Sequence, residues 1–274
     1  MLFSISLISA IQGIFQYQFM RHAFEAGTVI SIVAGIMGYL VVLRRTAFAA
    51  HAYAEIGFAG AAGAVILGIN PLVGLLSSSI LGGFGIAVLG KRASERDVEI
   101  GTVLAFALGL GLLFISLYTG YATEAYSILF GEILGISTSN VLITLAVSIV
   151  ILLAAAFVYR PLLFASLDED VAEAKGMNLV LLGIIFMVLL AAAVSIAIQV
   201  TGVLLIFALM VTPAAIAIRL TKRPMYAIGI SVLIALLATW AGLIIAFFEP
   251  YPVSFFITSI VFCSYLLVRL IRPR

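Results

Sequence analysis

The chain predicts an all-α, polytopic membrane helical bundle of about eight to nine transmembrane helices, and three observations predict it. Its 274 residues are 65% hydrophobic and only 9% charged, where a soluble domain carries about 25% charged residues. The apolar residues gather into segments close to the ~20 residues a helix needs to cross hydrocarbon. The basic residues are confined to particular loops, the asymmetry that sets membrane orientation. So little chain is left between spans that residues 1–274 read as one transmembrane domain.

The first stretch, MLFSISLISAIQGIFQYQ, lacks a basic n-region and a small-residue cleavage site. Residues 1–18 are therefore expected to lie at the membrane interface. Spans are expected over 19–43, 47–69, 72–90, 100–120, 139–159, 178–199, 201–221, 225–247 and 253–270. Arg44-Arg45 closes the first. Asn70-Pro71 turns the second into the third, and Glu249-Pro250-Tyr251-Pro252 turns the eighth into the ninth. Segment 121–138, YATEAYSILFGEILGIST, is mixed and reads as a short interfacial or re-entrant helix. Loop 160–177, RPLLFASLDEDVAEAKGM, carries a short amphipathic helix. There Asp168 can cap the N-terminus, acids fill the first turn, Lys175 lies near the end and Gly176 follows it. Gln199 to Gly202 is a very short connection, so one of the segments it joins is expected to be broken or partial. Thr212-Pro213 is a potential kink that frees backbone carbonyls.

If every segment crosses once, all of the 14 Lys and Arg except Arg21 fall on one face. That face is then cytoplasmic, with the N-terminus outside and the C-terminus inside.

Several function classes are excluded. Cys263 is the single cysteine, so no internal disulfide forms. Gly85 to Lys91 fits G-x-x-x-x-G-K, but Arg92 stands where a P-loop needs Ser or Thr, and the glycines lie within a span. No ATPase of its own is expected. G-x-S-x-G, H-E-x-x-H and C-x-x-C are all missing.

The informative exception to apolarity is AFAAHAYAEIGFAGAAGAVILG, which holds His51 and Glu55. At i, i+4 an imidazole and a carboxylate share one helix face. Ionisable groups in a span cost roughly 2.5–3.5 kcal/mol each on insertion scales, so they face a partner, a cavity or a path. The pair either stabilises a helix–helix contact or forms a transient metal or proton site. Glu132 is a weaker candidate at the outer mouth, where an acid attracts cations. Glu124, Glu249, His22 and Glu25 read as outer-face polar residues, and Cys263 and Met210 as packing. The small-residue runs, such as AGAAGA over 59–64, read as close-packing faces.

Four pieces occur in order: FMRHAFEAGTVISIVAGIMGYLVVLRR, ILFGEILGIS, DEDVAEAKGM and QVTGVLLIFALMVTPAAIA. Together they resemble the permease subunit of the metal-ion ABC importer family that serves zinc, manganese and iron, over about residues 19–245. The resemblance implies a type II ABC importer-like fold and a homodimer with the path at its interface. It implies a cytoplasmic ABC ATPase dimer, an extracytoplasmic metal-binding protein, and a bacterial or archaeal plasma membrane. ATP would be bound only by the partner, with no permanent cofactor, a divalent metal as cargo, surrounding lipid, and no nucleic acid. Asp168, Glu169, Asp170, Val171, Ala172, Glu173, Ala174, Lys175 and Gly176 would form the cytoplasmic coupling helix. One departure stands out. Where the family reads Gly-Asp-x-x-Ser-His, this chain has Ala50-His51 and Ala54-Glu55, so acid and imidazole exchange places while the ligand inventory is kept. The alternatives are a proton-coupled secondary metal transporter using the same pair as a relay, and a scaffold that transports nothing.

Overall fold

The computed structural model describes residues 13–89, 93–117, 131 and 133–272. Glu124, Glu132, Lys91, Arg92 and residues 1–12 of the expected interfacial segment lie outside the described residues. Helices α1 (Gln18–Leu43), α2 (Ala47–Ile66), α3 (Pro71–Leu89), α4 (Ala93–Leu117) and α5 (Thr138–Leu167) are followed by the short α6 (Glu169–Ala174). Then come α7 (Leu179–Thr201), α8 (Val203–Leu220), α9 (Pro224–Phe248) and α10 (Val253–Ile271). Each expected span has its helix.

Among the described residues, 6 helices are long and apolar enough to cross a membrane: α1, α4, α5, α7, α9 and α10. α3 and α8 are apolar over Pro71–Ile86 and Leu205–Leu220, and in α2 the polar pair dilutes the apolar run.

α1 is the central post, packed by α9, α8, α5 and α7. Small residues make this possible. A side chain at Gly38 would collide with the Met210 carbonyl of α8, and one at Gly35 would meet Val232 of α9 at 2.6 Å. Where backbones approach this closely, buried hydroxyls tie helices together. Ser31 Oγ lies 2.7 Å from the Gly27 carbonyl and 2.9 Å from Thr239 Oγ1. α2 forms a tight antiparallel pair with α3 through Gly60 and Gly74. α4 lies parallel to α2, with Gly101 against Phe48 and Gly111 against Phe58.

The expected break near Gln199–Gly202 is not a partial helix. Gly202 alone, at φ 78° and ψ 164°, separates two helices of 23 and 18 residues. That backbone region is essentially reserved for glycine. Pro213 sits inside α8 without ending it.

Among the described residues, the basic positions between helices lie at one end of the bundle. Arg44 Nη1 donates to Ser166 Oγ at 3.2 Å, and Arg272 Nη1 to the Leu220 carbonyl at 3.0 Å. At the other end, His22 Nδ1 lies 3.2 Å from the Ile136 carbonyl and Gly131 is pressed against Thr201 and Gly202.

Candidate functional site

α2 is rich in alanine and glycine, and neighbours close over it on several sides: α3, α4, α7 and α8. Between Ala49 and Ala59 every residue is buried except His51 and Glu55. These two, with Phe48 one turn earlier, form an open stripe along the N-terminal half of α2. The opening is flanked by α8, whose Phe207 ring meets the His51 ring edge-on, with centroids 5.6 Å apart at 69°. Phe207 is itself 39% exposed. Sequence reasoning missed this residue, because Phe207 sits in the featureless run LLIFALMV and no spacing ties it to His51.

An imidazole nitrogen and a carboxylate oxygen suit borderline divalent ions. One chain supplies two such donors here, and the described residues contain no group of three or more His, Cys, Asp or Glu that could hold a metal. Two donors are too few for a closed site, which needs about four. The arrangement is therefore suited to a passing ion, or to completion by groups from elsewhere.

The other sequence candidates are dispersed. Glu132 lies outside the described residues. His22 ties the start of α1 to Ile136 and Thr138, its Nε2 lying 3.3 Å from Thr138 Oγ1. Glu25 borders an apolar cleft of about 550 Å³ with Phe24 and Trp240. Glu249 follows the last turn of α9. Cys263 is exposed on α10, whose main neighbours are α8 and α9. Met210 packs against Gly38.

The acidic loop folds as its capping residues dictate. Asp168 accepts a hydrogen bond from the Val171 amide at 3.0 Å, and Glu169 and Asp170 occupy the first turn of α6. Gly176 closes it at φ 77°, with its amide 2.8 Å from the Glu173 carbonyl. Lys175 Nζ lies 4.7 Å from the Phe164 ring centroid. Only Ala172 of residues 167–176 is buried, so the rest of α6 and its flanks stand free, with Val171 43% exposed.

The chain matches the ABC 3 transport family over residues 16–272. It is 30% identical to the manganese transport system membrane protein MntC of Listeria monocytogenes over 78% of this chain and 76% of that protein. It is 32% identical to the manganese import system permease protein ScaB of Streptococcus gordonii over 77% and 76%. Among solved structures, PsaBC from Streptococcus pneumoniae in complex with Fab superposes with a TM-score of 0.87 at 28% identity, over 97% of this chain and 96% of that one. An inward-facing ABC transporter of the metal-chelate type, 16% identical, shares the fold at a TM-score of 0.75. One family thus accounts for all the described helices, and the chain belongs to the ABC 3 transport family.

Proposed function

We propose that this chain is the membrane permease of an ATP-driven importer of a divalent transition metal, with manganese the foremost cargo. The carrying observation is the His51–Glu55 pair, the two residues left partly open in the otherwise buried stretch Ala49–Ala59 of α2. Two curated relatives carry manganese in their names, and carboxylate plus imidazole suits that ion as well as zinc and iron.

Two copies of the chain would bring two imidazoles and two carboxylates to a shared path, completing a four-donor set that one copy leaves half made. Both ligands act weakly and briefly, because tight binding would stall release. The exposed helix α6, with its flanks from Asp168 to Gly176, serves as the docking element for a separate cytoplasmic ATPase dimer, which alone binds ATP. A metal-loaded binding protein delivers the ion to the opposite end, where Glu132 would draw cations. The basic end is the cytoplasmic one, with the N-terminus outside and the C-terminus inside a bacterial or archaeal plasma membrane.

The test is uptake of manganese, zinc and iron into proteoliposomes, with and without the candidate ATPase and binding protein. Uptake that needs both partners and ATP is expected. Uptake by the chain alone, abolished by a protonophore, would replace the proposal with a secondary transporter.

A further inference from the structure

We infer that the basic end of the bundle carries a binding site for an anionic phospholipid, in the cleft between the C-terminal ends of α8 and α10. The cleft has a volume of about 580 Å³ and is lined by Arg219, Lys222 and Arg272 together with Ile218, Leu220 and Ile271. The inference rests on the proposed orientation, in which this end faces the cytoplasm.

Three observations carry it. First, cations from two helices converge on one concavity and are held there. Arg272 Nη1 donates to the Leu220 carbonyl at 3.0 Å, and the Arg219 guanidinium lies 5.7 Å from the Tyr265 ring centroid. A guanidinium has about five donors, so most of them remain available to a phosphate.

Second, the charge is uncompensated within this part of the chain. From residue 174 to residue 274 the only acid is Glu249, which lies at the far end of α9. The other long basic loops carry their own acids. Glu95, Asp97 and Glu99 accompany Lys91, Arg92 and Arg96, and the Asp168–Glu173 cluster accompanies Arg160 and Lys175. Orientation rules account for basic residues at this end but not for their convergence on a cleft whose described lining holds no acid.

Third, exposed aliphatic surface adjoins the cations. Leu270 is 77% and Ile271 76% exposed. A ligand that satisfies both halves of the cleft needs an anionic phosphate and hydrocarbon in one molecule, which is the chemistry of an anionic membrane lipid. Basic pockets between helices on the cytoplasmic side bind such headgroups.

The experiment is native mass spectrometry of the delipidated full chain with added phosphatidylglycerol or phosphatidylcholine. Each basic residue near the surface contributes about fivefold in affinity. The variant Arg219→Gln/Lys222→Gln/Arg272→Gln should therefore bind phosphatidylglycerol on the order of 100-fold more weakly. Phosphatidylcholine should bind poorly to both forms. The charge-keeping variant Arg219→Lys/Arg272→Lys guards against a folding defect and should retain the lipid. Arg160→Gln, an exposed cation of α5, should also leave binding intact. Equal retention of the two lipids, or displacement of phosphatidylglycerol by inorganic phosphate alone, would overturn the inference. So would a triple variant that keeps the lipid but loses the ATPase, since the cleft would then be a protein-docking surface. Lipid retention needs no transport, and a C-terminal tag probed from outside the cell reads the orientation independently. Failure of the orientation is thereby distinguished from failure of the site.

Discussion

Consider the chain carrying His51→Glu and Glu55→His together. Four residues along a helix advance about 6 Å and rotate by about 40°, so both positions stay on one stripe. The exchange restores the acid-before-imidazole order of the family motif and keeps the number of donors. It removes the edge contact between His51 and Phe207, worth about 0.5–1.5 kcal/mol, or at most about tenfold in rate. Removing a ligand is costlier. Losing mere outer-shell support lowers metal affinity by about 10- to 100-fold, so His51→Gln or Glu55→Gln should cost at least about 100-fold. The expected order is therefore the native chain, then the exchanged chain within about tenfold, then either glutamine variant far below. The assay is the initial rate of ATP-dependent manganese uptake into proteoliposomes with both partners, with size-exclusion profiles to verify assembly. Glutamine variants that transport like the native chain would remove the pair from the path. An exchanged chain as inactive as the glutamine variants would show that position, not donor inventory, decides.

Three further outcomes follow from the packing. Gly38→Ala puts a methyl group into the Met210 carbonyl and should destabilise the α1–α8 contact by about 1–3 kcal/mol, read as a lowered melting temperature in detergent. Gly229→Ala, which meets nothing within 4 Å, is the control, and equal melting of the two variants would refute the close approach. Asp168→Ala removes the cap on α6 at a cost of about 1 kcal/mol. It should weaken stimulation of the partner ATPase while the melting temperature stays near native, and full stimulation would exclude α6 as the docking element. Tyr53 Oη donates to Met187 Sδ at 3.3 Å, joining α2 to α7 beside the pair. Tyr53→Phe should lower the metal carried per ATP hydrolysed, and an unchanged ratio would show that this contact does not couple the helices.

Much of the architecture was legible because composition alone announces a span, and punctuation such as Asn70-Pro71 and Arg44-Arg45 announces its ends. α6 was legible for a different reason: its signals are local, and Asp168, the first-turn acids and Gly176 act within a few residues of one another. What stayed hidden is nonlocal. In a helix apolar on all sides, periodicity does not mark the packed face, so nothing announced that α4 would pack against α2, or that Gly38 would receive a carbonyl from α8. The Gln199–Gly202 link was recognised as unusual, but its resolution into two full helices depends on the backbone freedom of Gly202. The His51–Glu55 pair was visible as a chemical exception. That the pair is also the opening in the buried stretch Ala49–Ala59 required its neighbours to be in place.

The packing also supplies a physical route between the two ends of the proposed mechanism. α6 is held by α5 and α7. α7 in turn lies along α3 and touches α2, with Gly83 of α3 packed against Ala191 and the Tyr53–Met187 bond close to the polar pair. A displacement of α6 thus reaches α2 through one intervening helix. Close-packed interiors pass such shifts on as discrete rearrangements rather than absorbing them. Phe207 of α8 borders the same opening, and α8 is anchored through Gly38 and Met210 to α1, which also packs against α5, α7 and α9. Both flanks of the stripe are therefore connected to the helices that hold α6, one through α7 and the other through α1. Under the proposed function, two weak donors on a half-open stripe release an ion readily when those helices shift, whereas a closed four-donor site within one chain would have to be dismantled at every cycle.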